Sequence, residues 1–351
     1  NKLDGHEVVL VVSFKKHFAE EKVSEECYVN EAGVKVYRIG PPRWIAKKIQ
    51  DKLRYFPKIA GLLRSEKPDV VFLHGVQQLT MFTVVRYKKQ HPQVRLFADS
   101  HADEGNSATT FLSQWLLHRV FYRAIVRLTQ KYFEKIFYVT VPRKDFLIKY
   151  YKLSENRLEF FPMGGMAPCA ADYQANREKY RAEFGAQPGD VLFLHAGKFG
   201  PEKMTKEILS LFRGNDFPSA KLVLAGRFGD GSEIAQEQLP KNAVNLSWTA
   251  PKKLLEVMCA CDVLLLPGRH SVLFEQGILH ALVPVFQDDP HNRFLTSGQN
   301  GLLVRSTDDL PEAVKKLCQD KQVLETLKHN SLQFARRHLD YACTASRTLG
   351  I

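Results

Sequence analysis

The sequence predicts an α/β protein built from two doubly wound parallel sheets, because three of its features agree. Its 351 residues suit two domains of ordinary size better than one. Short apolar runs bounded by turn residues alternate with helix-period stretches, as in parallel sheets covered by helices. Nearly every position of these runs is apolar, which is typical of strands buried on both faces.

The first series of predicted strands covers residues 6–14, 34–40, 69–75, 94–100, 136–141 and 157–162. Predicted helices lie between them at 43–65, 77–90, 107–134 and 142–151. The second series of strands covers residues 190–197, 220–226, 243–248, 262–268, 283–286 and 301–304.

The pattern breaks between the two series, after Gly164 and Gly165, where the conformational freedom of glycine suits a hinge. We therefore predict an N-terminal domain of residues 1–165 and a C-terminal domain of residues 166–334. The last helical segment, about 335–351, either closes the second domain or packs back on the first. Periodicity does not decide between these two arrangements.

The net charge of +12 is concentrated in the first half of the chain. Residues 1–170 carry 28 cations and 17 acids, a balance of +11, whereas the remaining residues carry 22 and 21, a balance of +1. A basic domain beside a neutral one indicates an anionic partner, such as a membrane surface, a phosphorylated acceptor or nucleic acid.

A basic amphipathic helix is predicted within the first half. Its cations recur at every fourth position, and apolar residues fill the other side: Arg119, Arg123, Arg127, Lys131 and Lys135 against Leu116, Leu117, Val120, Phe121, Ala124, Ile125, Leu128 and Tyr132. Residues 41–65 add seven cations, beginning with Arg43. Such a face is either solvated or docks on an anionic membrane leaflet.

The location of the protein is predicted from its cysteines and its apolar runs. The six cysteines form no CxxC pair and accompany no histidine cluster, so reduced thiols and a cytoplasmic location are expected. No apolar run approaches the ~18 residues of a membrane span, so any membrane contact would be peripheral, at the inner face of the cytoplasmic membrane.

Three glycines end predicted strands of the second series: Gly197, Gly226 and Gly268. Ligands of α/β sheets bind at the carboxyl ends of the strands, so these turns are candidate site positions. The loop after Gly197 carries Lys198 and Lys203 and leads into a predicted helix, and two cations at a helix N-terminus suit a diphosphate. A solvated loop whose lysines bind nothing fits this spacing equally well.

The turn after Gly268 supplies a second candidate site. It carries His270 and Ser271, and a helix is predicted to start near Ser271, so that backbone N–H groups face a ligand. Glu275, one turn into that helix, would accept hydrogen bonds from vicinal hydroxyls such as those of ribose. A lone glutamate on a helix is also commonly a surface residue, and this alternative stays open.

Motifs in both halves carry a resemblance to a known family. The series HAGKFGPEK, KLVLAGRFG, NLSWTAPKKLLEVMCACDVLLLPG, VPVF and GQNGLLV resembles the C-terminal domain of family 4 retaining GT-B glycosyltransferases. In the first half, GHEVVLVVS, PDVVFLHG and FFPMGGM are similar to strands and to the interdomain connection of that fold. The family's usual first strand and glycine-rich loop would precede Asn1.

The resemblance implies two Rossmann-like domains that face across a cleft, the first binding an acceptor and the second a nucleotide sugar. It implies transfer of a sugar, with retention, from a UDP- or GDP-type donor to a glycan or polyprenyl-linked acceptor, as in bacterial surface polysaccharide synthesis. The donor is a substrate, and neither a cofactor nor a metal is expected.

Carried over by residue, the resemblance assigns the diphosphate cations to Lys198 and Lys203. The family has arginine at the first of these positions, and lysine lacks its bidentate fork. Only Glu275 is present of the family's two glutamates eight positions apart. The expected donor-site residues are Gly197, Lys198, Lys203, Gly226, Arg227, Trp248, His270, Ser271 and Glu275.

The loop after the strand 94–100 resembles the histidine-containing loop that the family places beside the sugar and the acceptor. His101 would hydrogen-bond either of them, and Asp103 or Glu104 would deprotonate an acceptor hydroxyl, with Glu275 as the catalytic group on the donor side. For Asp103, a helix-capping role is an open alternative.

Two other functions are alternatives to sugar transfer. A nucleotide-sugar epimerase on the same fold would convert the donor without an acceptor. A basic nucleic-acid-binding protein is the other, but the sequence contains no recognition helix, zinc module or aromatic stacking pattern, so nucleic acid is not an expected partner.

Overall fold

The computed structural model describes residues 5–13, 26–42, 44–214 and 217–349, which form two compact units. Unit 1 comprises Asn1–Phe161 with Ala345–Ile351, and unit 2 comprises Pro162–Thr344. Arg43 of the predicted basic face lies outside the described residues. Among the helices that are described, none is both long enough and apolar enough to cross a membrane.

In the part of unit 1 that the structure describes, there are two sheets instead of one. In the first, β1 (Val9–Ser13) pairs in parallel with β3 (Lys35–Ile39), which pairs antiparallel with β2 (Glu26–Val29). The sequence did not predict β2. The second sheet is wholly parallel, in the order β4-β5-β6-β7, and its strands are Val70–Leu73, Arg95–Ser100, Lys135–Tyr138 and Leu158–Phe160.

Most helices of unit 1 are shorter than the sequence predicted, but the last of them matches the predicted helix 142–151. The helices are α1 Lys47–Leu53, α2 Ile59–Glu66, α3 Thr80–Gln90, a π-helix Ser113–Tyr122, α4 Arg123–Thr129 and α5 Val141–Tyr151. The predicted helix 43–65 is divided in two by a connection that contains Pro57, whose ring disfavours a continuous helix. The predicted helix 107–134 starts later, and its first part has π geometry.

The predicted amphipathic helix needs two corrections. Lys135 is the first residue of β6 and therefore does not belong to the helix. The apolar side also divides into two, because Ile125 packs in the core while Leu116 and Val120 are exposed. Together with Phe111, Leu112 and Trp115, these two residues form an exposed apolar face.

The last residues of the described chain belong to unit 1. The Arg347 guanidinium donates from Nη2 to Glu159 Oε1 at 2.7 Å, and Arg95 Nη1 donates to the carbonyl oxygen of Leu349 at 2.7 Å. The preceding segment stays in unit 2, where the backbone of Gly165 bonds to Leu339 and Tyr341. The hinge role of Gly164 and Gly165 stays a prediction.

Unit 2 is a six-stranded parallel sheet in the order β10-β9-β8-β11-β12-β13. Its strands match the second predicted series: β8 Val191–Phe199, β9 Ala220–Phe228, β10 Ala243–Asn245, β11 Val263–Leu266, β12 Val283–Gln287 and β13 Leu302–Val304. The four residues of β11 are completely buried, as expected for a central strand covered on both faces.

Helices cover both faces of this sheet. They are α6 Ala170–Glu183, α7 Thr205–Gly214, α8 Pro251–Ala260, α9 Leu273–Leu279, α10 Pro290–Leu295, α11 Leu310–Gln319, α12 Lys321–His338 and α13 Tyr341–Thr344. Just before β11, the buried Asp262 carboxylate accepts from Arg177 at 2.7 Å, Arg181 at 2.9 Å and Lys328 at 3.2 Å. This network ties α6 and α12 to the end of the sheet opposite the predicted ligand site.

Candidate functional site

The carboxyl ends of β8, β9 and β11 approach one another closely because three glycines lack side chains. Gly197 has φ +110°, a conformation that residues with a Cβ rarely adopt. A Cβ on Gly226 would lie 2.0 Å from the carbonyl oxygen of Gly197, and a Cβ on Gly268 would lie 2.2 Å from that of Glu202. The loops that follow these strands are therefore held in contact by the absence of side chains.

The loops after β8 and β11 join at Lys203. The backbone N–H of Arg269 donates to the carbonyl oxygen of Glu202 at 2.7 Å, and Lys203 Nζ donates to the carbonyl oxygen of Arg269. Lys203 Nζ also lies 5.5 Å from the centre of the Phe274 ring. The structure therefore brings together Lys203 and the His270–Ser271 turn, two predicted parts of the donor site that are far apart in the sequence.

The electrostatic environment of Lys203 favours an anion. Burial and the positive charge of Arg269 together lower the pKa of Lys203 to about 8, although the charge of Glu202 opposes this shift. A negatively charged ligand would stabilise the ammonium and reverse the shift. Lysines with depressed pKa values occur often at functional sites.

A buried histidine that the sequence did not predict supports the Lys203 loop. His195, inside β8, bonds through Nδ1 to the carbonyl oxygen of Leu265 and through Nε2 to Thr205 Oγ1, both at 3.0 Å. Burial lowers the pKa of His195 to about 4, so the ring is neutral, donates to the carbonyl and accepts from the hydroxyl. Thr205 Oγ1 in turn accepts from the Gly200 N–H at 3.2 Å, which fixes the start of the loop.

Three other predicted donor residues line the same edge of the sheet. Lys198 and Arg227 are register partners on β8 and β9, and both side chains are exposed. The Arg227 guanidinium lies 4.9 Å from the centre of the exposed Trp248 ring. A flat, exposed aromatic ring beside two cations is suited to a nucleobase next to phosphates.

The sugar end of the predicted site contains a buried acid. Glu275 is completely buried, and its two carboxylate oxygens lie 3.1 and 3.2 Å from His270 Nε2. His291, which the sequence did not single out, lies 3.9 Å from the same carboxylate. Direct contact of Glu275 with ligand hydroxyls stays a prediction, since its hydrogen-bonding partner here is His270. Ser271 Oγ is buried and has no hydrogen-bond partner within the described part of the chain.

In unit 1, the ends of β4 and β5 hold a second group of polar side chains. Asp99 Oδ2 lies 2.7 Å from His74 Nδ1 and 3.2 Å from His101 Nε2, and Asp99 Oδ1 accepts from the Gly75 N–H at 2.7 Å. Burial would raise the pKa of Asp99, but the bonds with His101 and His74 outweigh it and lower the pKa to about 2. The sequence predicted His101 here and missed both His74 and Asp99.

The predicted base candidates Asp103 and Glu104 are both engaged in local contacts. Asp103 accepts from the backbone and the side chain of Asn106, at 2.8 and 3.1 Å, in a turn after β5. Glu104 pairs with Lys149 at 2.5 Å and accepts from Tyr150. Their role as bases stays a prediction, and the open alternative of a local structural role for Asp103 agrees with these bonds.

Two groups among the described residues have nitrogen and oxygen atoms within 4.8 Å of one another, close enough for one metal ion: His74, Asp99 and His101, and His270, Glu275 and His291. Hydrogen bonds or ion pairs among these side chains account for the spacing in both groups. The short distances in these two groups therefore do not by themselves indicate a metal site. The expectation that the protein needs no metal stays a prediction.

Two α/β units, each with a parallel sheet flanked by helices, are the architecture of the glycosyltransferases of the GT-B fold. The family model of Glycosyltransferase Family 4 matches residues 3–164, and that of Glycosyl transferases group 1 matches residues 176–334. The chain therefore belongs to glycosyltransferase family 4. A search of curated protein sequences finds no match.

Several solved structures share this fold at low sequence identity. Sucrose-phosphate synthase from Thermosynechococcus elongatus has a TM-score of 0.64 at 14% identity, covering 99% of this chain and 88% of that one. The HepE protein of Anabaena, solved with UDP, has a TM-score of 0.65 at 15% identity, with coverage of 91% and 86%. A glycosyltransferase from Rickettsia africae has a TM-score of 0.66 at 11% identity, with coverage of 99% and 90%.

Proposed function

We propose that this glycosyltransferase takes its sugar from a UDP- or GDP-type donor bound at the carboxyl edge of the unit 2 sheet. The contact between Lys203 and the turn after β11 carries the proposal. It places an ammonium group at the turn where a diphosphate would lie, and a second lysine, the exposed Lys198, lies near the end of β8, before the same loop. The structures of HepE with UDP and with UDP-glucose support a nucleotide donor on this fold.

The remaining donor contacts follow from the same edge. We propose that Gly197 and Gly226 allow the phosphates to approach the backbone, and that Arg227 and Trp248 hold the base. His270, Ser271 and Glu275 would face the sugar, with Glu275 acting through His270. Because the diphosphate charge would be met by lysines and by backbone N–H groups, we propose transfer without a metal or a further cofactor.

The acceptor would bind in unit 1, where His101 would contact the sugar or the acceptor. We propose a glycan or polyprenyl-linked glycan as the acceptor and retention as the stereochemical outcome, both on the strength of the family resemblance. Proton NMR of the product would test retention, because the coupling constant of the new anomeric proton distinguishes the two configurations for most sugars.

A thermal-shift panel of nucleotides and nucleotide sugars tests the donor proposal. We expect UDP or GDP and their sugars to raise the melting temperature of the wild type and to raise that of Lys203→Ala much less. The proposal fails if no nucleotide stabilises the protein. Conversion of a nucleotide sugar into an isomer without any acceptor would instead indicate an epimerase.

We also propose that unit 1 docks on an anionic membrane surface from the cytoplasmic side. The exposed apolar face defined above supports this, because its side chains project into solvent: Phe111 is 75% exposed and Trp115 is 50% exposed. Arg119 stacks 4.7 Å above the Trp115 ring, and Arg127 is exposed on the next helix. Apolar side chains flanked by cations suit the boundary between headgroups and acyl chains.

Liposome flotation tests the membrane proposal. We expect the wild type to float with vesicles that contain anionic lipid and to float less with neutral ones. The double variant Trp115→Ser/Leu116→Ser should lose most of this binding, whereas Phe82→Ser, which removes an exposed phenylalanine on α3, should keep it. Equal recovery with both kinds of vesicle would contradict the proposal.

A further inference from the structure

A histidine and an aspartate form a hydrogen-bonded pair at the carboxyl ends of two neighbouring strands in unit 1. β4 and β5 are parallel and in register, with Leu73 opposite Ala98, so that the next residues, His74 and Asp99, are adjacent. The Asp99 side chain is only 8% exposed, and the Gly75 N–H and His74 Nδ1 hold one carboxylate oxygen each. The His74 side chain, in contrast, is 74% exposed.

The hydrogen bonds of this pair determine which nitrogen of His74 is available. Asp99 is ionised above its pKa of about 2, so its oxygens accept and His74 Nδ1 must carry the proton. In the neutral ring, Nε2 therefore has a free lone pair. No hydrogen-bond partner of Nε2 is found among the residues that the structure describes.

We propose that His74 Nε2 is the proton acceptor for the attacking hydroxyl and that Asp99 is its positioning residue. In this step the acceptor O–H bond breaks and its proton moves to Nε2. The acceptor oxygen forms a bond to C1 of the sugar, and the bond from C1 to the β-phosphate oxygen breaks, its electron pair leaving with the nucleoside diphosphate. The assignment rests on the proposed function and applies to either anomeric outcome, because the acceptor oxygen loses its proton in both.

Two comparisons favour His74 over its neighbours. The carboxylates of Asp103 and Glu104 are occupied by Asn106 and Lys149, and a carboxylate is a weaker base than imidazole near neutral pH. His101 shares the Asp99 oxygen through a longer contact and is less exposed than His74. Its ring centre lies 4.6 Å from that of His74, so it suits a contact to the same substrate.

A polar cavity of unit 1 lies beside the segment that follows His74. It measures about 200 Å³ and is lined in part by Lys52, Arg54, Gln77 and Asn106. Gln77 follows β4 three residues after His74, and a Cβ on Gly75 would lie 3.9 Å from Arg54 Nη1. Cations and amides of this kind bind hydroxyl-rich or phosphorylated molecules.

Hydrolysis of a nucleotide sugar, with water as the acceptor, tests the assignment without a known acceptor. The substrate is the UDP- or GDP-sugar that the wild type turns over fastest, and release of the nucleoside diphosphate is followed from pH 5 to 9. His74→Gln should lower kcat about 100-fold and leave the thermal shift by the nucleotide unchanged. His6→Gln, which changes an exposed histidine of the same unit, is the matched control and should keep the wild-type rate.

The pH profile of Asp99→Asn separates positioning from a structural role. The bond to Asp99 raises the pKa of His74 above 6.5, against the opposing effects of burial and of Arg54. Since His74 must be neutral to accept a proton, the wild-type rate should rise with pH through that raised pKa. Asp99→Asn should lower the rate at the plateau of the profile and move the rise in rate to lower pH. Arg54 and His101 are unchanged in this variant, so they still act on the pKa of His74.

Three results would overturn the assignment. The first is a His74→Gln variant with the kcat of the wild type, and the second is an Asp99→Asn variant whose pH–rate profile has a lower plateau but the same midpoint. The third is a rate of hydrolysis that depends on an added divalent metal. If the wild type neither turns over nor is stabilised by any nucleotide or nucleotide sugar, the proposed function itself fails and this assignment falls with it. Stabilisation and turnover by the wild type together with an active His74→Gln would remove the assignment alone.

Discussion

The depressed pKa of Lys203 predicts that donor binding depends on pH. The ammonium group is partly buried beside the Phe274 ring and the charge of Arg269, which is why its pKa lies at about 8. A diphosphate attracts the protonated form and not the neutral amine. Nucleotide affinity should therefore decrease as the pH rises through 8.

The size of this effect follows from the titration. With a pKa of about 8, roughly nine-tenths of Lys203 is protonated at pH 7 and roughly one-tenth at pH 9, so the dissociation constant of UDP should rise about tenfold, which is about 1.4 kcal/mol. Lys203→Ala removes a charged hydrogen bond worth about 1.5–3 kcal/mol and should weaken binding about 10- to 150-fold at pH 7. The variant should also lose the pH dependence.

Isothermal titration calorimetry with UDP at pH 7, 8 and 9 measures both quantities. In Lys203→Ala, any change of affinity with pH comes from other groups, including titration of the nucleotide itself. The difference in pH dependence between the wild type and this variant is therefore due to Lys203. Lys252→Ala, on the exposed side of α8, is the control and should match the wild type. Equal pH dependence in wild type and Lys203→Ala would refute the reasoning.

Three further variants test the structural basis of the site and the fold. Gly226→Ala places a Cβ 2.0 Å from the carbonyl oxygen of Gly197 and should lower the free energy of unfolding by about 3 kcal/mol in urea denaturation. Asp262→Asn leaves Lys328 and its neighbours without a buried counter-charge and should cost about 3–5 kcal/mol at pH 7. Trp248→Ala should weaken UDP binding by about 1–3 kcal/mol in calorimetry, since its exposed ring would stack on the base.

Each of these variants has a control or a contrary result. Gly214→Ala adds a Cβ where nothing lies within 4 Å and should leave the stability unchanged. Burial alone would raise the pKa of Asp262, but Lys328 and Arg177 outweigh it and lower the pKa, so the wild type should lose stability as the pH falls below about 4. An Asp262→Asn protein with that same acid dependence would contradict the role of this pair, and unchanged affinity in Trp248→Ala would exclude stacking.

The strands of unit 2 and the position of the Lys203 loop after β8 were predictable because local sequence determines them. Each buried strand of unit 2 is an apolar run in the sequence. Gly197 and Gly226 lie two residues before the ends of β8 and β9, and Gly268 lies two residues after β11, so the glycines mark this edge of the sheet. Lys203 was recognisable from its position between such a glycine and a helix. Its contact with Arg269 was not, because it depends on how closely β8 and β11 pack at Gly268.

The pairing of His74 with Asp99 was not predicted although both residues end apolar runs. They are 25 positions apart in the sequence and become neighbours through the register of β4 and β5, which a single sequence does not specify. A histidine and an aspartate at the ends of adjacent parallel strands are a usable signal once the order of the strands is known. The same applies to His291, which follows β12 and reaches Glu275 on α9.

The division of the predicted amphipathic helix into buried and exposed apolar residues was not predictable for a different reason, which lies in the helix type. The amphipathic pattern that places Leu116, Val120 and Ile125 on one side assumes an α-helical period throughout. In the π-helix Ser113–Tyr122 the hydrogen bonds join residues i and i+5. Each turn therefore contains more residues than a turn of an α-helix, and the side chains point in different directions from those that the α-helical period predicts. Trp115, Leu116 and Val120 therefore face solvent, while His118 and Tyr122 are buried in the core. An insertion that restores the α-helical period would turn those apolar residues inward, and vesicle flotation through this face should then be lost even though every original side chain is still present.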